Sequence, residues 1–159
     1  MKKLILALFT LMLSSNIVIA APINNLSSEQ TALGFGTDSF YLEHKFTPSF
    51  TLGFQNLDWN GNDDIYGQFN LSENLRGIIG NRNFDSGSEI YLGMAVTGPL
   101  APKCDGYASI IAGSSFKEFQ AGANFKLTTT VDLNVNYHSY MPDVGKNKTG
   151  VGLGATFKF

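Results

Sequence analysis

The stretch from Thr149 to Phe159 constrains the fold more than any other part of this sequence. Apolar side chains alternate there with glycine, threonine and lysine, and the last residue is aromatic. The apolar positions are Val151, Leu153, Ala155, Phe157 and Phe159. A period of two predicts a β-strand with one apolar face. A terminal strand leaves backbone groups unpaired unless another strand covers it, and closing a barrel pairs the last strand with the first. The ending therefore predicts a closed β-barrel.

The first twenty residues have the pattern of a secretory signal peptide. Two lysines precede an apolar run from Leu4 to Leu13, and Val18-Ile19-Ala20 matches the small-residue cleavage pattern. The apolar run is short for a membrane-spanning helix, which needs about 20 residues. No other apolar run approaches that length, so a membrane span in this chain would have to be a closed barrel. We predict cleavage after Ala20, which gives a signal peptide at 1–20 and one domain at 21–159.

The rest of the chain consists of short alternating runs separated by turn residues, without helical periodicity. We predict an all-β fold, a single antiparallel up-and-down transmembrane barrel. Its ten strands are predicted at 29–36, 39–47, 50–59, 63–71, 75–84, 88–97, 106–114, 117–127, 130–140 and 149–159. Eight strands are the alternative, if the N-terminal hairpin around Thr37-Asp38 does not form.

Local sequence signals predict the turns and the irregular places in the strands. Turns are predicted at Asn60-Gly61, at 47–49, at 72–74 and at 85–87, because Gly, Pro, Asn, Asp and Ser favour tight connections. The alternation slips at Asn56-Leu57 and again at Ile78-Ile79. We expect β-bulges or local changes of twist at these two places.

Composition and the placement of aromatic residues predict which face of the strands is wet. Charged residues make up only 15% of the chain, against about 25% in soluble domains. Aromatic side chains fall at two heights with aliphatic residues between them, as a bilayer requires. The predicted lower set is Phe46, Phe50, Phe69, Phe125, Phe157 and Phe159, and the upper set is Phe35, Phe40, Trp59, Phe84, Phe119 and Tyr137. The apolar face is therefore predicted to point outward to lipid. A soluble periplasmic lipid-binding barrel, with its apolar face inside, is an alternative.

Ionisable residues on the polar face are the candidate lumen residues. They are Glu43, Lys45, Asp64, Arg82, Glu89, Lys126, Asp132, His138 and Lys158. Both signs are present, and charges in a confined interior are costly unless they are paired. We therefore favour a salt-bridged plug, in which residues of strands 8 to 10 and of the Glu43 strand form one network. A narrow aqueous path is the alternative, because glycines on the inner face would leave room for it.

No motif predicts catalysis, a cofactor or a bound metal. His138 and Ser139 are adjacent, so they project to opposite faces of a strand and cannot share a proton; His44 is predicted at the rim. The acidic run 58–64 lacks the glycine and glutamate spacing of a calcium loop, so a solvated hairpin tip is expected. Cys104 has no partner for an intrachain disulfide and is interpreted as an inert turn residue.

Two resemblances extend this interpretation. Leu33-Gly34-Phe35-Gly36-Thr37, together with the run from Trp59 to Asp64 and the Phe-terminated last strand, resembles the YfaZ family of small outer-membrane proteins. This resemblance implies a fold and a location, but no reaction and no catalytic residues. The last residues also resemble the C-terminal signal by which outer-membrane barrels are recognised for assembly, with Gly154, Phe157 and Phe159 at its characteristic positions.

The expected function is that of a small bacterial outer-membrane barrel, either structural or a narrow, weakly selective pore. A barrel enzyme acting on envelope lipid is the alternative, and a surface-binding protein is disfavoured by the short upper loops. The expected partners are outer-membrane lipid, lipopolysaccharide and the barrel-assembly machinery, and a monomer is expected. Without the predicted signal peptide, nine basic residues oppose thirteen acidic ones, which argues against binding nucleic acid.

Overall fold

The computed structural model describes residues 21–37, 39–57 and 62–159, and these form a closed antiparallel barrel. Its strands are β1 (Thr31–Gly36), β2 (Ser39–Thr47), β3 (Phe50–Leu57), β4 (Asn62–Asn70), β5 (Leu75–Phe84), β6 (Gly87–Ala101), β7 (Cys104–Ala112), β8 (Phe116–Lys126), β9 (Val131–Pro142) and β10 (Lys148–Lys158). Each strand pairs with its neighbours in sequence, and β10 pairs with β1. The ten-stranded prediction is confirmed, and the eight-stranded alternative is wrong.

The barrel closes at the predicted seam between the last strand and the first. Leu33 lies opposite Phe157, and Phe35 lies opposite Ala155. Beyond the strand, the amide of Phe159 donates to the carbonyl of Thr31 at 2.9 Å, and the Thr31 amide donates to the Phe159 carbonyl at 3.2 Å. The last residue therefore has a backbone partner.

Short connections join the strands at both ends. We call the end that carries Thr31 and Phe159 the lower rim and the opposite end the upper rim. Turns form at 48–49 and 71–74 on the lower rim and at 85–86 on the upper rim, as predicted. The predicted turn at Asn60-Gly61, the residue Trp59 and the predicted signal peptide lie outside the described residues, as does Asp38. In the described ranges, no helix is long and apolar enough to cross a membrane.

The two faces of the wall carry the predicted polarity. Large apolar side chains at mid-height are exposed on the outside, among them Leu42, Leu52, Leu92, Met94 and Leu153. The alternate positions on the inside are polar and buried, including Gln55, Asp64, Gln68, Asn134, Asn136 and Thr156. A soluble lipid-binding barrel would show the opposite arrangement.

The two predicted irregularities are not bulges. Pairing runs without a shift through Asn56 and Leu57 and through Ile78 and Ile79. The alternation slips there because Leu57 and Ile78 are apolar residues that face the lumen, where both are buried. The observed register shifts lie between Lys45 and Thr47 and between Pro99 and Ala101.

Phe84 is a further correction, because it does not belong to the outer aromatic set. Its ring packs edge-on against Phe116, with the ring centroids 5.9 Å apart, and Phe116 is a buried lumen residue. The odd and even positions of β5 explain this placement, since Arg82 and Phe84 lie two residues apart on the same face.

Tyrosine rings cover four lumen glycines, of which Gly34, Gly53 and Gly122 were expected to leave room. The cross-strand pairs are Gly34 with Tyr41, Gly53 with Tyr66, Gly80 with Tyr91, and Gly122 with Tyr107. A Cβ atom at any of these glycines would overlap the facing tyrosine. Glycine is therefore required so that each ring can lie across the neighbouring strand, and these glycines do not widen the lumen.

Candidate functional site

The most connected group in the lumen is the guanidinium of Arg82, which is fully buried. Its Nε and Nη2 atoms donate to the two carboxylate oxygens of Asp64, each at 2.7 Å. Its Nη1 donates to Oε2 of Glu118 at 2.7 Å, across the lumen on β8. The other Glu118 oxygen lies 3.0 Å from Nε2 of His138 on β9. This Arg82 network therefore joins four strands by bidentate and charge-assisted contacts.

Aromatic rings and further donors complete the Arg82 network. The guanidinium carbon lies 4.6 Å from the ring centroid of Phe116 and 5.6 Å from that of Tyr91. The Tyr91 hydroxyl donates to Asp64 at 3.3 Å, and Nε2 of Gln55 donates to Asp64 at 2.8 Å. Cation–π contact and carboxylate pairing together stabilise a charge that burial alone would destabilise.

A second polar group surrounds the buried carboxylate of Glu43. Tyr66 and Gln68 donate to its Oε1 atom at 2.9 and 2.8 Å. Nδ2 of Asn24 donates to its Oε2 atom at 2.7 Å. Arg76 joins the group through Gln68, whose Oε1 accepts from Arg76 Nη1 at 3.0 Å. Neutral donors surround this carboxylate, in contrast to the direct ion pairs around Arg82.

Two ion pairs lie near the lower rim. Lys158 on β10 pairs with Asp132 on β9 at 2.6 Å, and both side chains are buried. Lys126 pairs with Asp105 at 2.8 Å and is 42% exposed. Above the first pair, Asn134 donates to the Thr156 hydroxyl at 2.9 Å, and Tyr41 also hydrogen-bonds that hydroxyl.

The lower half of the lumen also holds part of the chain itself. Residues 21–28, which we call the N-terminal segment, enter from the lower rim and precede β1. Ala21, Ile23 and Leu26 are buried, and the first two belong to an apolar cluster with lumen residues such as Ile78. The Ala21 amide donates to Oε1 of Gln55 at 2.8 Å, so one residue separates the segment from the Arg82 network.

The structure places the candidate lumen charges in several separate groups. Asp64, Arg82 and His138 belong to the Arg82 network, and Glu43 and Lys45 line the lower lumen. Asp132 and Lys158 form a pair of their own. The expected single network is wrong, because Lys126 reaches Asp105 and the Glu43 carboxylate bonds neutral donors.

Sequence reasoning missed three contributors to the lumen. Glu118 and Arg76 occupy inward positions, and alternation from Phe119 and Arg82 would have identified them. The N-terminal segment has no strand pattern, so no periodic signal predicts that it is buried. Its apolar residues Ala21, Ile23 and Leu26 are the sequence feature that is consistent with burial.

Glu89 lies at the upper rim, half-buried, and does not join the lumen groups. Its carboxylate accepts from the Ser115 amide at 2.7 Å and also from the Ser115 hydroxyl. These contacts tie β6 to the connection before β8. A depression of about 330 Å³, lined by Phe84, Glu89 and Tyr140 among others, opens at this rim.

The structure separates the two residues that were considered for catalysis. His138 is buried inside and Ser139 lies on the opposite face. Asp64 of the acidic run binds Arg82, while Asp58, Asn60 and Gly61 lie outside the described residues. No group of three acidic, histidine or cysteine side chains with metal-binding geometry occurs there. The interpretation of Cys104 as a turn residue is wrong, because it is the first residue of β7, where it is buried and pairs with Phe125.

The C-terminal positions of the resembled assembly signal lie on two faces. Phe157 and Phe159 are exposed on the outside near the lower rim, and Phe159 is 74% exposed. Gly154 faces inward, where Asn134 lies close to it. His44 lies on the outer face of β2, with its ring against Phe46 and its Nδ1 atom 2.8 Å from the Thr31 hydroxyl.

Comparisons with known proteins add only distant likenesses. No family model and no curated protein matches the sequence. A chain from the de novo design of transmembrane β-barrels is 13% identical over 84% of this chain and 98% of its own, with a TM-score of 0.44. The N-terminal β-barrel domain of Pseudomonas aeruginosa OprF is 12% identical over 83% and 98%, with a TM-score of 0.40. A Rhodopseudomonas blastica porin triple mutant is 10% identical over 79% of this chain and 44% of the porin, with a TM-score of 0.42. This chain thus spans less than half of the porin's length, and likenesses of this size assign neither a family nor a function.

Proposed function

We propose that the protein is an integral barrel of the bacterial outer membrane with a structural role. The observation that carries the proposal is the polarity of the wall, with exposed aliphatic side chains outside and buried ion pairs inside. Such an exterior suits lipid, and a closed barrel leaves no strand edge in the hydrocarbon. The signal peptide and its cleavage after Ala20 belong to this proposal, as do contacts with lipopolysaccharide, assembly by the barrel-assembly machinery and a monomeric state.

A matched pair of substitutions tests membrane insertion. Leu92 and Leu127 are 62% and 61% exposed, but Leu92 lies within β6 and Leu127 lies in a lower-rim turn. Leu92→Arg should destabilise the inserted barrel by about 2–4 kcal/mol, and Leu127→Arg by about 0–1 kcal/mol. Urea unfolding from lipid vesicles measures both. Equal effects of the two substitutions would contradict insertion at this height.

Assembly gives a second test, in cells. Phe159→Ser should leave export intact but reduce the heat-modifiable, membrane-inserted form, because an anchor at the lower rim is lost. Phe35→Ser removes an outward aromatic residue near the upper rim and serves as the control. Normal levels of inserted Phe159→Ser protein would remove the assembly role from the proposal.

A narrow, weakly selective pore is the second candidate. It is favoured by the N-terminal segment, which fills lumen space without being a strand of the wall. Single-channel recording in planar bilayers separates the two roles, since a structural barrel gives no discrete current steps. The proposal also assigns no enzymatic activity, and lipid A masses from cells with and without the protein should therefore be identical.

A further inference from the structure

The N-terminal segment is held by side chains that recognise its backbone. Arg76 on β5 donates to the carbonyl of Asn24 at 2.7 Å, and Lys45 on β2 donates to that of Leu26 at 2.9 Å. Asn124 on β8 donates to the carbonyl of Ile23 at 3.0 Å. Three well-separated strands thus bind three backbone carbonyls, an arrangement that suits an extended peptide of many sequences.

One side chain of the segment adds sequence selectivity. Asn24 is 2% exposed, and its Nδ2 atom donates to the buried carboxylate of Glu43 at 2.7 Å. Asn25 is the next residue and has the same side chain, but it is exposed. A site that accepts an amide donor against a buried carboxylate should reject an acidic side chain at the same position.

The segment lacks the backbone ladder that holds the strands of the wall. Its amide and carbonyl partners are mainly side chains. Backbone pairing with β2 begins just after the segment, where the Glu29 amide donates to the Lys45 carbonyl at 2.7 Å. Elements with few backbone bonds open at lower free energy than strands do. The segment can therefore leave the lumen while the barrel remains closed.

We infer that the lower half of the lumen is a binding site for an extended peptide, and that the chain's own residues 21–28 are its tethered ligand, whose release empties this half while the Arg82 network still crosses the upper half. Arg76, Lys45 and Asn124 bind the peptide carbonyls, and Glu43 selects an amide side chain at the Asn24 position. The peptide site does not depend on the proposed membrane insertion.

The paired variants Asn24→Asp and Asn25→Asp test the site in the full-length chain. Asn24→Asp places a carboxylate against Glu43 and removes the donor, so the segment should leave its site. Hydrogen exchange of the backbone amides of residues 23–28 in detergent should become at least about tenfold faster, as expected from the loss of one buried charged hydrogen bond. Asn25→Asp adds the same charge in solvent and should exchange like the wild type. Unchanged exchange in Asn24→Asp would overturn the site.

A third variant keeps the test decisive if Asn24→Asp does not fold. Asn24→Ala removes the same donor without adding charge and should also accelerate exchange in the segment. Wild-type exchange in a folded Asn24→Ala barrel would overturn the recognition of the Asn24 side chain by Glu43.

A synthetic peptide with the sequence of residues 21–28 completes the test. A fluorescently labelled copy should bind the Asn24→Asp protein in detergent at roughly millimolar concentration, comparable to the effective concentration of a short tether, and its anisotropy should rise. The same peptide with Asp at the Asn24 position should not bind. Equal binding of both peptides would overturn selection by Glu43. Absence of inserted wild-type protein would instead contradict the proposed function, while the exchange measurement in detergent would still report on the peptide site.

Discussion

The upper and lower halves of the lumen are filled in different ways. In the upper half, Arg82 pairs directly with Asp64 and with Glu118, and all three residues belong to strands of the wall. In the lower half, Arg76 and Lys45 bind carbonyl groups of a segment that is not part of the wall. The upper half can open only if its side chains rearrange, whereas the lower half empties when the whole N-terminal segment leaves. The comparison indicates that the Arg82 network contributes most of the stability of the lumen and that the N-terminal segment is the part that can move.

Arg82→Met should give the largest loss of stability. The substitution removes the cation between Asp64 and Glu118 and leaves two buried carboxylates without their main partner. We expect a loss of about 3–5 kcal/mol in the free energy of unfolding, measured by urea titration in detergent. Exchange in the N-terminal segment should change little by comparison. A loss below about 1 kcal/mol, the size of an exposed ion pair, would contradict the assignment of stability to this half.

The ten strands and the direction of most side chains could be predicted because both depend on a period of two. Position along β9 places Asp132 and His138 inside and Leu133 outside, without reference to any other strand. Which charges pair could not be predicted, because pairing depends on strand tilt and register across the lumen. Lys126 reaches Asp105 on the preceding strand for this reason, although Asp132 is its opposite residue on the following strand.

Apolar lumen residues show where pattern reasoning fails. Ile78 and Leu57 interrupt the alternation, and the sequence alone interprets that interruption as a local defect of pairing. Ile78 instead packs in the apolar cluster that includes Ala21 and Ile23. For Ile78, the partner that makes an inward position favourable lies in a segment without periodicity, so the sequence of neither element predicts the contact.

Arg76→Met should have an intermediate effect, confined to the lower half. It removes the donor to the Asn24 carbonyl and the contact with Gln68, while Glu43 keeps its neutral donors. We expect a loss of about 1–3 kcal/mol together with faster hydrogen exchange of residues 21–28. If the amides of the segment exchange as slowly as in the wild type, Arg76 does not hold the segment in the lumen. The contrast between the two halves is then weaker than proposed.

Lys126→Met should have the smallest effect, although its ion pair is nearly as short as those of Arg82. The Nζ atom lies 2.8 Å from Asp105, but the lysine side chain is 42% exposed at the lower rim. Water solvates both charges when the pair is broken, so the expected loss is about 0–1 kcal/mol. Raising the salt concentration should weaken the wild-type pair and bring the two proteins closer in stability. The same urea titration measures both variants. If Lys126→Met loses as much stability as Arg82→Met, burial does not distinguish the two ion pairs. The distance between the charged atoms would then determine how much each pair contributes to the free energy of unfolding.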